Sequence, residues 1–140
     1  MKKYTIGLIT GALLAVSTMM FMGAQNKNLV TAVTLRDGGT VEIISNHKIS
    51  GNKIERVGKY YEWYHGRIKE EGNYKNDLKD GKWTSWQSNG KKNKEGTYKD
   101  GKRTGKWTVW WDNGKKLSEE TYKDGKTISS KNWDRKGNLY

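Results

Sequence analysis

Residues 81–104 read GKWTSWQSNGKKNKEGTYKDGKRT, and the chain continues from Gly105 as GKWTVWWDNGKKLSEETYKDGKTI. These are two copies of one unit, 24 residues apart. Gly81 maps to Gly105, Trp83 to Trp107, Trp86 to Trp110, Gly90 to Gly114, Glu95 to Glu119 and Tyr98 to Tyr122. Self-similarity at a fixed period of this length is the signature of a repeat array and takes precedence over any other reading of the chain. A slightly shortened copy precedes the pair at residues 58–80. It has Tyr60 in place of the first Trp, Trp63 in place of the second, and one residue fewer before Gly66. The clear copies then occupy 81–104 and 105–127. A partial copy closes the chain at 128–140, with Trp133 and Gly137 where Trp110 and Gly114 stand.

The turns set the fold class. Asn89-Gly90 and Asn113-Gly114 are strong hairpin signals, because both central residues of a type I′ turn need positive φ. Asp100-Gly101 and Asp124-Gly125 signal the same at the other end of each unit, with Asn76-Asp77 as a weaker equivalent in the first copy. The segments between turns are short for helices and suit strands. Tight connections make each strand pair with the next, which gives antiparallel pairing. Counting outward from Asn89-Gly90 puts Trp83 opposite Gly96, an aromatic across from a strand glycine. Counting from Asp100-Gly101 puts Glu95 opposite Lys106, and from Asn76-Asp77 it puts Glu71 opposite Lys82. Such opposite charges contribute about 0.2–1 kcal/mol per pair. Trp83 and Trp86 are three apart, so they point to opposite faces of a regular strand. The expected architecture is all-β: an elongated single-layer antiparallel β-meander of hairpin repeats, after an N-terminal signal helix.

Composition limits the core. Only 33% of the chain is hydrophobic, too little for a sandwich, so its seven Trp and eight Tyr must carry most of the burial. There is no Cys, hence no disulfide framework, thiolate metal site or acylated cysteine. The formal net charge is +12, which favours anionic partners.

The chain opens with the basic Met1-Lys2-Lys3, runs through an apolar segment at 6–22, and reaches Met22-Gly23-Ala24 before polar residues. This is the pattern of a secretory signal peptide at 1–24, cleaved after Ala24, with an exported (periplasmic or secreted) mature protein from Gln25. Residues 25–57 read as an N-terminal hairpin cap. The strands at 29–35 (LVTAVTL) and 40–44 (TVEII) flank Arg36-Asp37-Gly38-Gly39, and Ser50-Gly51-Asn52 makes a further turn in a weaker segment. Repeat arrays need such terminal units to close the stack.

The pattern G-K-W-x-x-W-x-x-N-G-K-x-x-x-E-x-x-Y-K-D-G-K resembles the MORN repeat. In particular it resembles the bacterial MORN-variant type often labelled as antitoxin components of the YwqK family. The resemblance covers about residues 58–140. It implies β-hairpin repeats in one elongated sheet, and roles in protein association, scaffolding or membrane proximity.

No catalytic constellation emerges. Glu70-Glu71 and Glu119-Glu120 are adjacent in sequence, so within strands their carboxylates point to opposite faces. His47 and His65 are too few for a histidine metal site, and the Asp-Gly turns lack the alternating acidic ligands of a calcium loop. The Gly-Lys dipeptides lack the spacing of a phosphate loop and the helix that follows one. No cofactor is expected. The candidate binding surface is Trp86, Trp110 and Trp111 with the lysines beside the turns, Lys91, Lys92, Lys115 and Lys116. The function read from this is an exported non-catalytic module for protein–protein or envelope-surface binding. Its partner would be a protein or an anionic envelope surface, with membrane proximity. Export disfavours nucleic acid, and open sheet edges would allow a homodimer. The alternatives are a carbohydrate- or cell-wall-binding module and an antitoxin-like immunity protein.

Overall fold

The computed structural model describes residues 29–36 and 41–140, with side chains from residue 46 onward. The expected signal segment at 1–24, residues 25–28 and the first turn at 37–40 lie outside the described residues. Among the described residues nine strands form one open sheet: β1 (Leu29–Arg36), β2 (Val41–Ser50), β3 (Lys53–Tyr64), β4 (Arg67–Lys75), β5 (Leu78–Trp86), β6 (Lys92–Lys99), β7 (Lys102–Trp110), β8 (Lys116–Lys123) and β9 (Lys126–Asn132). They lie in chain order, each antiparallel to the next, so the expected β-meander is the observed fold. Strand β3 runs through residues 57–58, making the N-terminal hairpin and the repeats one continuous sheet.

The two ends of the ribbon use different turns. At one end, Asn76-Asp77, Asp100-Gly101 and Asp124-Gly125 have positive φ at both residues, as a type I′ turn requires. Asn and Asp tolerate this region better than other side chains. At the other end the structure corrects the expectation for Asn89-Gly90 and Asn113-Gly114. Only the glycines have positive φ there. The Gly90 amide donates to the Gln87 carbonyl and the Gln87 amide to the Lys91 carbonyl. This is a type I turn followed by a left-handed glycine, a three-residue loop. Asn89 Oδ1 accepts from the Lys91 amide at 2.9 Å, holding the asparagine in the turn rather than in a left-handed conformation. The register of Trp83 opposite Gly96 nevertheless holds. The loop displaces the pairing by one residue, and a bulge between Ser85 and Trp86 on β5, at Asn93 on β6, restores it.

The expected Glu95–Lys106 and Glu71–Lys82 pairings are overturned. Glu95 faces Thr108, and Glu71 faces Thr84. The reason is a two-residue insertion in β5 and again in β7. Asn73 pairs with Asp80 and Glu71 with Thr84, so Gly81, Lys82 and Trp83 together oppose Gly72. Likewise Gly105, Lys106 and Trp107 oppose Gly96. Gly81 and Gly105 have φ of 72° and 61°, which bends the strand where only glycine does so without strain.

This bulge builds the core. It throws the Trp83 indole onto Gly72 and the Trp107 indole onto Gly96. A Cβ at either glycine would lie 2.1–2.2 Å from the ring. Trp83 therefore pairs in register with Gly96 but covers Gly72, the glycine of the preceding hairpin. Trp83 Nε1 donates to the Asn73 carbonyl and Trp107 Nε1 to the Thr97 carbonyl, each at 3.1 Å. Trp83 is 2% exposed and Trp107 3%, and they are the buried hydrophobic residues of the described chain. Each ring removes about 200 Å² from water, worth about 5 kcal/mol as an upper figure. Tyrosines pack edge-on between them. Tyr74 lies 5.1 Å from Trp83, Tyr98 4.9 Å from Trp107 and Tyr122 6.3 Å beyond.

Gly96→Ala should lower the unfolding free energy by about 2–3 kcal/mol, because the indole has no room to retreat. Glu120 holds the same position in the next copy, where Lys131 replaces the tryptophan. Glu120→Ala should cost only about 1 kcal/mol, the hydrogen bond from Tyr122. Urea denaturation of the two variants would show the contrast; equal losses would refute the packing.

Candidate functional site

The face that carries Trp83 is interleaved with cations. Arg56 lies 4.2 Å over Tyr74, Lys79 3.7 Å over Trp83 and Arg103 4.6 Å over Trp107. Lys79 also bonds Glu70 at 3.0 Å, and Arg103 donates to the Tyr122 hydroxyl at 2.9 Å. These cations cover the aromatic row and are engaged in holding it. Burial, then neighbouring Glu62, push the Tyr60 hydroxyl well above the usual tyrosine range, so that this hydroxyl stays neutral.

The opposite face carries a row of carboxylates, each held by two lysines. Glu95 meets Lys82 at 3.1 Å and Lys92 at 2.7 Å. Glu119 meets Lys106 at 3.0 Å and Lys116 at 2.9 Å. Burial alone would push the Glu95 carboxyl up, but the ammonium groups of Lys92 and Lys82 together outweigh it and hold it below the usual range. Lys116 and Lys106 lower Glu119 in the same way. The bulge explains these partners: the lysine after Gly81 or Gly105 reaches forward within its own hairpin instead of back to the preceding one.

The three-residue loops stack on one another. Asn89 Nδ2 donates to the Asp112 carbonyl and Asn113 Nδ2 to the Arg135 carbonyl, each at 2.9 Å. Lys91 Nζ donates to the Asn113 carbonyl and Lys115 Nζ to the Lys136 carbonyl, at 3.0 and 2.6 Å. The loop at residues 134–138 is closed by Asp134. Its carboxylate accepts from the Asn138 side chain and from the amides of Asn138 and Lys136, which hold it below the usual carboxylate range.

The seven residues singled out in sequence therefore do not form one site. Lys91 and Lys115 staple each loop to the next. Lys92 and Lys116 bind Glu95 and Glu119 and lie 5.7 and 5.5 Å over Trp110 and Trp133. Trp111 Nε1 donates to the Trp133 carbonyl, beneath Arg135. Of the three tryptophans, Trp86 lines an open groove of about 570 Å³, together with Tyr64, Arg67 and Ile68. Sequence reasoning passed over those three residues. The signal available was the short first copy, whose departures fall at this place. Among the described residues no group of three or more His, Cys, Asp or Glu could hold a metal ion.

A family model described as MORN repeat variant matches residues 79–100 and 103–124. These two adjacent segments are similar to the MORN repeat variant. The matched segments begin at β5 and β7, and each contains one bulged tryptophan, one three-residue loop and the β6 or β8 return strand. Searches of curated proteins and of solved structures return no match to the chain. MORN repeats generally mediate protein or membrane binding and are of a non-catalytic type.

The carboxylate row implies a pH dependence with a definite sign. Glu95 and Glu119 are depressed in the folded chain, so their contribution is present above the ordinary carboxylate range and is lost as pH falls through it and below. The urea midpoint should be flat from pH 6 to 8 and fall progressively on acidification. Glu95→Gln should flatten part of that acid limb, and a limb unchanged in the variant would refute the assignment.

Proposed function

We propose that the protein is exported and acts as a non-catalytic repeat module that binds an acidic protein surface or an anionic envelope surface. The binding role of MORN repeats in general supports this reading, and so does the arrangement of charge. Residues 81–104 hold seven Lys and Arg against two acidic residues, whereas residues 58–80 hold five of each. The positive excess is therefore concentrated in one repeat.

The observation that carries the proposal lies at the type I′ ends. Lys99 stands directly opposite Lys102, and Lys123 opposite Lys126. Like charges facing across an antiparallel pair are destabilising. None of the four enters an ion pair among the described residues. All four are exposed. An anionic partner would relieve this local repulsion, and folding supplies no such relief. Export follows from the basic start, apolar run and small-residue end of residues 1–24.

Two measurements test this. The N-terminus of the protein recovered from its native envelope should begin near Gln25. Replacing Lys99, Lys102, Lys123 and Lys126 by Gln should reduce cross-linked capture of envelope partners at least tenfold. Wild-type capture should weaken with rising salt, as surface charge is screened. Thermal stability of the variant should hold or rise, since the repulsion is gone. Undiminished capture by a folded variant would defeat the proposal.

A further inference from the structure

The first hairpin departs from its successors in two ways, and both open the same place. Its loop is the two-residue turn His65-Gly66, with φ of 48° and 71°, instead of a three-residue loop. It reaches the next loop through Arg67 Nη1 to the Ser88 carbonyl at 3.0 Å, without the asparagine that Asn89 and Asn113 supply to later loops. The second departure is in the residue paired with the second Trp of each unit. Trp86 pairs with Lys92 and Trp110 with Lys116, but Trp63 pairs with Ile68. Lys92 and Lys116 then extend over the tryptophans of the following units, Trp110 and Trp133. At the first junction Ile68 occupies that position, so Trp86 receives an aliphatic neighbour in place of an ammonium group.

The result is the groove of about 570 Å³ between the first and second repeats. Tyr64, Ile68 and Trp86 give it an apolar lining, with Tyr64 45% and Ile68 37% exposed. Arg67 and Lys69 supply its cationic side, and none of its lining residues is acidic. Lys69 shares its charge with Glu62 at 3.1 Å, whereas Arg67 is bonded to a neutral carbonyl and keeps its charge.

We propose that this groove binds a peptide segment of a protein partner, one that presents a large apolar side chain flanked by acidic residues. The proposal rests on the protein-binding reading above and names its site. The apolar lining matches the side chain and the uncompensated Arg67 matches the flanking carboxylates. Aromatic residues and arginine are the types that dominate binding energy at protein interfaces. A sugar fits less well. It would need carboxylates or free amides for its hydroxyls, and the Gln87 amide nitrogen already donates to the carbonyls of Lys92 and Trp110 at 3.2 Å each.

The test uses the mature chain and three probes: a fluorescein-labelled peptide with two acidic residues on each side of one Phe, the same peptide with lysines in place of the acids, and a chito-oligosaccharide. The acidic peptide should bind saturably and the lysine peptide at least tenfold more weakly. Ile68→Lys restores the residue of the later repeats and should weaken acidic-peptide binding at least tenfold, with an unchanged circular dichroism spectrum. Tyr64→Ala is a second variant at an exposed position and should act in the same direction. Equal binding by Ile68→Lys, binding of the oligosaccharide instead, or binding of no probe would each overturn the assignment. If Ile68→Lys captures envelope partners at the wild-type level while the four-lysine variant loses them, the groove fails and the proposed function stands.

Discussion

Each repeat is locked to the one before it by an indole laid over a glycine eleven residues earlier: Trp83 on Gly72 and Trp107 on Gly96. A single-layer sheet has no second layer to pack against, so its apolar surface must be buried on the sheet itself. Three residues opposing one create the space, the glycine removes the side chain that would fill it, and the indole nitrogen bonds a carbonyl beside the bulge. The tyrosines and the covering cations Lys79 and Arg103 follow from that placement. Because each lock joins only adjacent hairpins, stability accrues by nearest-neighbour contacts, as in other repeat arrays. The end of the array obeys the same rule. Where Lys131 replaces the tryptophan, the opposing strand carries Glu120 rather than glycine, and the bulge between β8 and β9 shrinks to one residue.

The same geometry distributes the charges. A lysine inside each bulge is turned toward its own hairpin, which brings Lys82 with Lys92 to Glu95, and Lys106 with Lys116 to Glu119. Exposed pairs of this kind each contribute about 0.2–1 kcal/mol, so their effect lies in regularity more than in strength. Much of the lysine-rich character thus serves the array itself. What remains outward is narrower: the facing lysines at the type I′ turns and the groove at the first junction.

The period, the strand order and the Asp-Gly turns were legible in the sequence, because a left-handed pair of residues leaves a strong local mark. The Asn-Gly loops were misread because Asn89 and Asn113 also stabilise a type I turn through their side-chain oxygens, and a dipeptide does not distinguish the two. The charge pairs failed for a different reason. Gly81 and Gly105 look like ordinary strand residues until the chain bends there, and counting from a turn assumes that nothing is inserted. The candidate surface was chosen by residue type, and contacts decide otherwise. Lys91 and Lys115 are loop staples, whereas Trp86 opens onto a groove whose other walls gave no signal by type.

In an array built from one rule, positions that follow the rule are constrained by folding, and positions that break it without losing the fold are free to answer to something else. Glu120 and Lys131 break it together, the indole and the glycine beneath it being absent as a pair, and folding accounts for both. The shortened turn at His65-Gly66 and Ile68 in the lysine position also occur together, but at an internal junction where stacking continues through Arg67. Restoring either would add a loop contact or a cation over Trp86, so stability alone does not account for their loss. The junction between the first and second repeats is therefore the place in this chain where sequence has departed from the folding rule in favour of an exposed apolar surface.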